Sequence, residues 1–230
     1  MEKIVILTGA GISAESGLGT FRDAGGLWAQ HRIEDVATPE GFARDPALVQ
    51  AFYNARRAKA AAARPNPAHA ALARLQAGWP GEVVIVTQNV DALHEAGGAQ
   101  GVLHMHGRLD QALCAACGHR WPAPEEMEVG EPCPACRAPS ARPDIVWFGE
   151  MPYDMDEIFA HLSGADLFAA TGTSGQVYPA AGFVQEAAAA GARTVELNLE
   201  PSATVSQFDE TRFGPATQTV PEWVAGLLAD

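Results

Sequence analysis

The sequence predicts an α/β fold, a parallel sheet domain with a small helical and metal-binding part inserted into it. Short, almost wholly apolar runs such as Ile4-Val5-Ile6-Leu7 and Val83-Val84-Ile85-Val86 have no polar alternation, the mark of strands covered on both faces. Alanine-rich segments of helical character separate several of these runs, the alternation a parallel sheet requires. Two Cys-x2-Cys pairs fall in a polar stretch that interrupts this alternation. At 230 residues, 47 % hydrophobic and 19 % charged, the chain has enough apolar material for one substantial core with a small appendage.

In chain order, strands are expected over 4–8, 83–87, 166–171, 194–199 and 217–220, and helices over 67–77 and 180–191. The larger domain is then discontinuous, made of 1–33, 67–107 and 146–230. Residues 34–66 form a predominantly helical insertion whose clearest stretch is Ala51 to Ala63, and residues 108–145 form a second insertion that carries the cysteines. The alanine-rich tract at 58–63 reads as helix, and no internal repeat interrupts the pattern.

Polar residues that close parallel strands lie where open α/β sheets bind ligands. After the first strand comes Gly9-Ala10-Gly11-Ile12-Ser13, a turn that lets backbone approach a phosphate closely at the start of a helix. The same glycines also suit a tight strand-to-helix connection with nothing bound. A dinucleotide is the first expectation, although the acidic residue that usually closes a second strand about 20 residues on has no counterpart. Residues 14–28 are glycine-rich, lack a strand pattern, and read as a loop folded over a ligand.

A net charge of −13 opposes a nucleic-acid surface, which needs clustered Lys and Arg. No apolar run reaches the ~18 residues of a membrane span, and residue 5 already lies in an expected core strand, so no secretion signal is expected and the chain reads as cytoplasmic.

Cys114-x2-Cys117 and Cys133-x2-Cys136 are separated by 15 residues and are all the cysteines present. In a reducing compartment this spacing reads as a tetrahedral zinc site, with four thiolates leaving no open position for catalysis. Gly118 suits the tight turn after the first pair, and Pro132 and Pro134 stiffen the second. Residues 118–132 are too polar to fold without such a staple. They carry Arg120 against Glu125, Glu126, Glu128 and Glu131, which disfavours a nucleic-acid-reading ribbon.

Taken together, Gly9-Ala10-Gly11-Ile12-Ser13, Thr20-Phe21-Arg22, Thr87-Gln88-Asn89-Val90-Asp91, His106-Gly107, the two cysteine pairs, Val146-Trp147-Phe148-Gly149-Glu150, Gly172-Thr173-Ser174 and Leu197-Asn198-Leu199-Glu200-Pro201 resemble the sirtuin (Sir2) family of NAD-dependent protein deacylases. The resemblance spans nearly the whole chain. It implies a Rossmann-like large domain, a small helical and zinc-binding domain, and NAD consumed as co-substrate between them. It further implies NAD contacts at Gly9, Ala10, Gly11, Ser13, Phe21, Arg22, Gln88, Asn89, Asp91, Gly172, Thr173, Ser174 and Asn198, the last holding the adenosine ribose in place of the missing acid. His106 matches the general base that takes a proton from ribose hydroxyls, work for which an imidazole is suited at neutral pH. His104 lies on the same face of an extended segment as His106, the placement of a metal pair or of one packed histidine beside one catalytic one. His94 reads as structural.

By the same resemblance, Val146-Trp147-Phe148-Gly149-Glu150, which by itself reads as an ordinary strand at a domain boundary, pairs through its backbone with an acyl-lysine peptide, and Val146 and Phe148 line the lysine tunnel. Tyr53 and Arg56 share a helix face, and with Ala37-Thr38-Pro39 upstream they are similar to the class III subgroup, in which Ala37, Tyr53 and Arg56 line an enlarged acyl pocket. A guanidinium fork and a phenol pair with a carboxylate, so succinyl- and malonyl-lysine are expected substrates beside acetyl-lysine. Gly175-Gln176-Val177-Tyr178-Pro179 resembles the same subgroup. Gly19-Thr20 before Phe21-Arg22 departs from the Pro-Asp of many family members. Mono-ADP-ribosyl transfer to protein, an NAD-dependent dehydrogenase and a non-catalytic binding module are the competing readings.

Overall fold

The computed structural model describes residues 1–19 and 31–229. The expectations for Thr20, Phe21 and Arg22 therefore lie outside the described residues. A six-stranded sheet has the order β3-β2-β1-β7-β8-β9, built from β1 (Lys3–Thr8), β2 (Glu82–Thr87), β3 (Leu103–His104), β7 (Leu167–Thr171), β8 (Arg193–Asn198) and β9 (Glu210–Phe213), and every pairing in it is parallel.

Side-chain alternation distributes each strand between two cores. Ile4, Ile6, Ile85, Ala169, Val195 and Leu197 face α5 (Pro67–Gly78) and α9 (Ala216–Ala229), where Ala68, Leu72 and Leu75 pack with Val220, Trp223 and Val224. Val5, Leu7, Val84, Val86 and Phe168 face α7 (Met155–Ser163) and α8 (Phe183–Ala189) through Ile158, Leu162, Phe183 and Val184. This double burial is why the strands lack polar alternation. Helix α5 starts where Asn66 accepts from the Ala68 N–H at 2.9 Å and the Asn66 N–H donates to His69 Nδ1 at 3.2 Å, with Pro67 in its first turn.

One strand was misplaced by sequence. Residues 217–220 belong to α9, not to a strand, because Val220, Trp223, Val224 and Leu227 fall at helical spacing and close the α5 face. The β-branched run and Pro221 mask that stripe. The last strand is Glu210–Phe213, whose charged, largely exposed residues suit a sheet edge.

Between β1 and β2 lie α2 (Ile33–Val36), α3 (Pro39–Arg44) and α4 (Pro46–Ala62). A three-stranded antiparallel sheet, β5-β4-β6, follows β3, made of β4 (Gly107–Cys114), β5 (Arg120–Pro122) and β6 (Ala141–Ile145). The two parts share one core of Val36, Ala37, Val49, Phe52 and Tyr53 with Leu109, Ile145 and Trp147. Buried Arg57 pins α4 to the sheet, donating from Nε to Leu109 O at 2.7 Å and from Nη1 to Asn54 Oδ1 at 2.8 Å and Glu125 O at 3.3 Å.

Candidate functional site

Strands β1 and β7 are neighbours, but the chain leaves them toward opposite sides of the sheet, so their loops part at a switch point. The two loops pack backbone to backbone. Gly9 N–H donates to Thr171 O at 3.0 Å and Gly11 N–H to Gly172 O at 2.8 Å. A Cβ on Gly9 would lie 2.8 Å from Gly172 O, and one on Gly11 2.7 Å from Gly172 Cα. Gly172 has φ +64°, and a Cβ there would run into Gly11 and Ile12 backbone. The glycines thus serve loop packing first, and the paired turns make one glycine cradle at the carboxyl ends of β1 and β7. The helix after them, α1 (Gly11–Ala14), is a single turn that Ala10 precedes without a side-chain cap.

Gln88, just beyond β2, ties the cradle to the next loop through Nε2, which donates to Thr173 Oγ1 at 3.0 Å and Thr8 O at 3.4 Å. On the far side Asn198 Nδ2 donates to Thr173 O at 2.7 Å and to Glu196 Oε1 at 3.2 Å, and Ser174 O accepts from the Ala203 N–H at 3.0 Å.

Beneath the cradle, Ser13 is the hub of a buried network. Asn89 Nδ2 donates to Gly9 O at 3.1 Å and Ser13 Oγ at 3.2 Å, and Ser13 Oγ donates to Asp91 Oδ2 at 3.1 Å. His69 Nε2 lies 3.3 Å from Ser13 Oγ. Because the Asn66 N–H can only donate, His69 Nδ1 accepts, Nε2 carries the hydrogen, and Ser13 receives it. Burial holds His69 down to about 4, so the neutral ring this pattern needs persists at pH 7. Burial also raises Asp91, against the opposing Leu93 N–H and Ser13 bonds. His94 is structural as expected: wholly buried, 2.9 Å from Thr8 Oγ1, and pushed by burial to about 3.

His104 and His106 share a face, and each grips a carbonyl of the β2 loop. His106 Nδ1 is 3.1 Å from Gln88 O, and His104 Nδ1 is 3.2 Å from Asn89 O. His104 Nε2 meets Glu95 Oε1 at 2.7 Å, so it is a packed residue rather than half of a metal pair. Burial opposes the Glu95 charge, but His104 and Arg108 outweigh it and hold that carboxyl at about 2. A carbonyl only accepts, so His106 donates from Nδ1 and leaves Nε2 as a bare lone pair. Burial lowers its pKa, with the Gln88 bond opposing, which favours the neutral ring. Gly107 follows because its φ is +82° and its Cα abuts Asp144 and Ile145 of β6.

The segment after β6 is a turn rather than a strand. Its amides are already engaged: Val146 N–H with His106 O at 2.9 Å, Trp147 N–H with Glu150 Oε2 at 2.8 Å, and Phe148 N–H with Ala37 O at 2.9 Å. Phe148 is exposed, and Trp147 is buried beside Ala37 and Tyr53. Tyr53 accepts from Trp147 Nε1 at 3.0 Å. Arg56 lies with its Cζ 5.5 Å from the Tyr53 ring centre, its pKa lowered by burial with Tyr53 and Asp91 opposing.

The four cysteine sulfurs lie within 4.8 Å of one another, with Cys114–Cys136 at 3.6 Å and Cys117–Cys133 at 3.8 Å. A tetrahedron with Zn–S bonds of ~2.3 Å has edges of ~3.8 Å, so the four residues are positioned to bind one zinc ion. The core beside them, Ala112, Met127 and Ala141, is too small to hold the lobe alone.

Sequence reasoning missed His69, Glu95, Glu196 and the Arg142–Glu150 pair. Only His69 carried a local signal, the capping-box position three residues after Asn66.

The Sir2 family model matches residues 9–179. A Caulobacter vibrioides protein named NAD-dependent protein deacylase is 57 % identical over 231 residues, covering 99 % of this chain and 97 % of its own. A protein of the same name from Vibrio parahaemolyticus is 58 % identical over 229 residues, covering 98 % and 95 %. The crystal structure of a Sir2 homologue in complex with NAD superposes with a TM-score of 0.90 at 35 % identity, covering 98 % of this chain and 89 % of that one. With the glycine cradle, the loop histidines and the cysteine tetrad in one fold, the chain belongs to the Sir2 family.

Proposed function

We propose that this protein removes acyl groups from protein lysines at the expense of NAD, with His106 as general base and acyl chains that end in a carboxylate among its substrates. Succinyl- and malonyl-lysine are the acidic substrates meant, and acetyl-lysine is retained. The observation that carries the reading is His106: Nδ1 is committed to Gln88 O and burial lowers its pKa, favouring the neutral ring, so Nε2 is left to accept a proton near the carboxyl end of the sheet. When bound, NAD supplies a glycosidic carbon that the acyl oxygen attacks as nicotinamide leaves. With one water consumed, the products are free lysine, nicotinamide and O-acyl-ADP-ribose.

The protein's own groups meet each requirement of that reaction. The Gly9, Ala10 and Gly11 turn with Gly172, Thr173 and Ser174 takes the phosphates, Asn198 the adenosine ribose, and Gln88, Asn89, Ser13 and Asp91 the nicotinamide end; Phe21 and Arg22 complete the set. Asn89 Nδ2 is committed to Gly9 and Ser13, which leaves its Oδ1 as the group to receive a ligand's N–H. His106 Nε2 takes a proton from a ribose hydroxyl, work worth ~10²–10⁴-fold in rate. The Val146–Phe148 amides are engaged internally, so a substrate peptide pairs with carbonyls of this segment while Val146 and Phe148 flank the lysine. Ala37 leaves room for a longer acyl chain, and Tyr53 and Arg56 receive its carboxylate.

We assign 34–66 and 108–145 as the small domain, whose shared core forms the acyl wall, and 1–33, 67–107 and 146–230 as the Rossmann-like domain. Among the described residues no helix is long and apolar enough to cross a membrane. The acidic charge and the thiolate site fit a cytoplasmic enzyme acting on proteins rather than nucleic acid.

The test incubates the protein with NAD and matched acetyl-, succinyl- and malonyl-lysine peptides and follows free peptide and O-acyl-ADP-ribose by mass spectrometry. NAD-dependent turnover of the acidic peptides, lost in His106→Ala, is the expected result. ADP-ribose retained on protein would point instead to mono-ADP-ribosyl transfer.

A further inference from the structure

We infer that Trp147 sets acyl selectivity by fixing the direction of the Tyr53 hydroxyl; the inference rests on the reading of Tyr53 and Arg56 as the polar end of the acyl pocket. Tyr53 is fully buried, and Trp147 Nε1 lies 3.0 Å from its oxygen. An indole N–H only donates, so the phenol oxygen is the acceptor in that bond. Arg56, the other hydrogen-bond partner of the phenol, is a donor as well, so with both partners donating the phenol's own hydrogen remains available to an incoming acceptor. A carboxylate accepts only, so this is the polarity an acidic acyl group requires. An acetyl group ends in a methyl and reads none of it.

The indole cannot turn to serve the ligand instead. Arg142 Cζ stacks 3.5 Å from the Trp147 ring centre, and its guanidinium forks onto Glu150 at 2.6 and 2.9 Å. The same Glu150 accepts the Trp147 backbone N–H at 2.8 Å, while Arg142 Nη2 donates to Ile145 O at 2.7 Å. Phe42 also packs against this ring, its ring centre 5.2 Å away. The donor is therefore aimed at Tyr53 before any substrate arrives, and the ordering cost of binding falls accordingly. A bland alternative exists, since a buried indole N–H needs some partner; selectivity rather than stability separates the two.

The test measures kcat/KM for succinyl- and acetyl-lysine peptides of one sequence in wild type, Trp147→Phe, Tyr53→Phe and the double variant. Benzothienylalanine at position 147, which keeps the indole's shape but has sulfur in place of N–H, stands in if Trp147→Phe does not fold. The expected result is a fall of about three- to tenfold in the succinyl-to-acetyl ratio, the worth of one neutral hydrogen bond. The double variant should fall no further than Tyr53→Phe alone. A ratio that survives while both rates drop together, or effects of the two residues that multiply, would overturn the inference. The wild-type arm is read first: no turnover of succinyl-lysine there removes the pocket reading itself, and the role of Trp147 with it.

Discussion

Gly172→Ala should destabilise the protein in the absence of any ligand. At φ +64° an alanine costs ~1–2 kcal/mol in backbone conformation. Its Cβ would also sit 2.8 Å from Gly11 C and 3.0 Å from Gly11 Cα, atoms of another loop's backbone that cannot rotate aside, and overpacking of this kind adds ~1–3 kcal/mol. The sum, ~2–5 kcal/mol, corresponds to a melting temperature lower by ~4–20 °C for a chain of this size. Gly226→Ala is the control. Gly226 is exposed within α9 and a Cβ there meets nothing within 4 Å, so helix propensity should stabilise that variant by ~0.5–1 kcal/mol. Calorimetry of both without NAD separates packing from ligand contact. If Gly172→Ala melts within ~2 °C of the parent, the glycines are not there to let the two loops meet, and phosphate approach alone must explain them.

Three further outcomes follow from the geometry. Cys133→Ser should lower the zinc content from one ion per chain to none by metal analysis, and expose residues 108–145 to trypsin, because the Ala112, Met127 and Ala141 cluster cannot hold that lobe unaided; full zinc retention would refute the tetrad. Stability should fall as pH drops from about 6.5 to 5, because His69 and His94, held by burial at about 4 and about 3, stay neutral in the native state while the unfolded chain binds protons. Each contributes up to ~2 kcal/mol at pH 5, read by urea unfolding at pH 7.5 and 5, and His94→Gln should flatten that slope. Arg57→Met should cost ~2 kcal/mol by chemical denaturation, since it strands the buried acceptor Leu109 O and removes the bond to the part-buried Glu125 O; a loss within 0.5 kcal/mol would show that water replaces it.

The strands and helices of the sheet domain were legible where burial imposes its pattern. Val83–Val86 and Ile4–Leu7 are apolar throughout because helices cover both faces, and no other environment tolerates such runs in a short strand. Residues 217–220 deceived for the opposite reason. Thr and Val favour strands locally, while the stripe that makes this segment helical extends to Trp223, Val224 and Leu227, beyond Pro221. β3 is only two residues long, too short to leave a period. Within the site, the cysteines could be found because spacing constrains them, and His106 through the resemblance its His-Gly phrase carries. Glu95, Glu196 and Arg142 could not, since a long side chain reaches its partner across elements and leaves no spacing to read.

The site's hydrogens can be placed from groups that have no choice. Gln88 O only accepts, so His106 donates from Nδ1 and Nε2 keeps its lone pair. The Asn66 N–H only donates, so His69 accepts at Nδ1 and donates from Nε2 to Ser13, whose own hydrogen goes to Asp91. The Trp147 indole only donates, so Tyr53 keeps its hydrogen for something else. In each case an obligate partner fixes an ambivalent side chain, and each of these partners is itself held in place: Gln88 by Thr173, Asn66 by its bond to Ile12 O at 2.7 Å, and Trp147 by Arg142. If His106 is the general base proposed above, the backbone carbonyl at Gln88 matters to that role as much as the imidazole it grips. A change that rotated that one peptide would allow the other tautomer of His106 and turn the base away from its proton, with every named side chain still present.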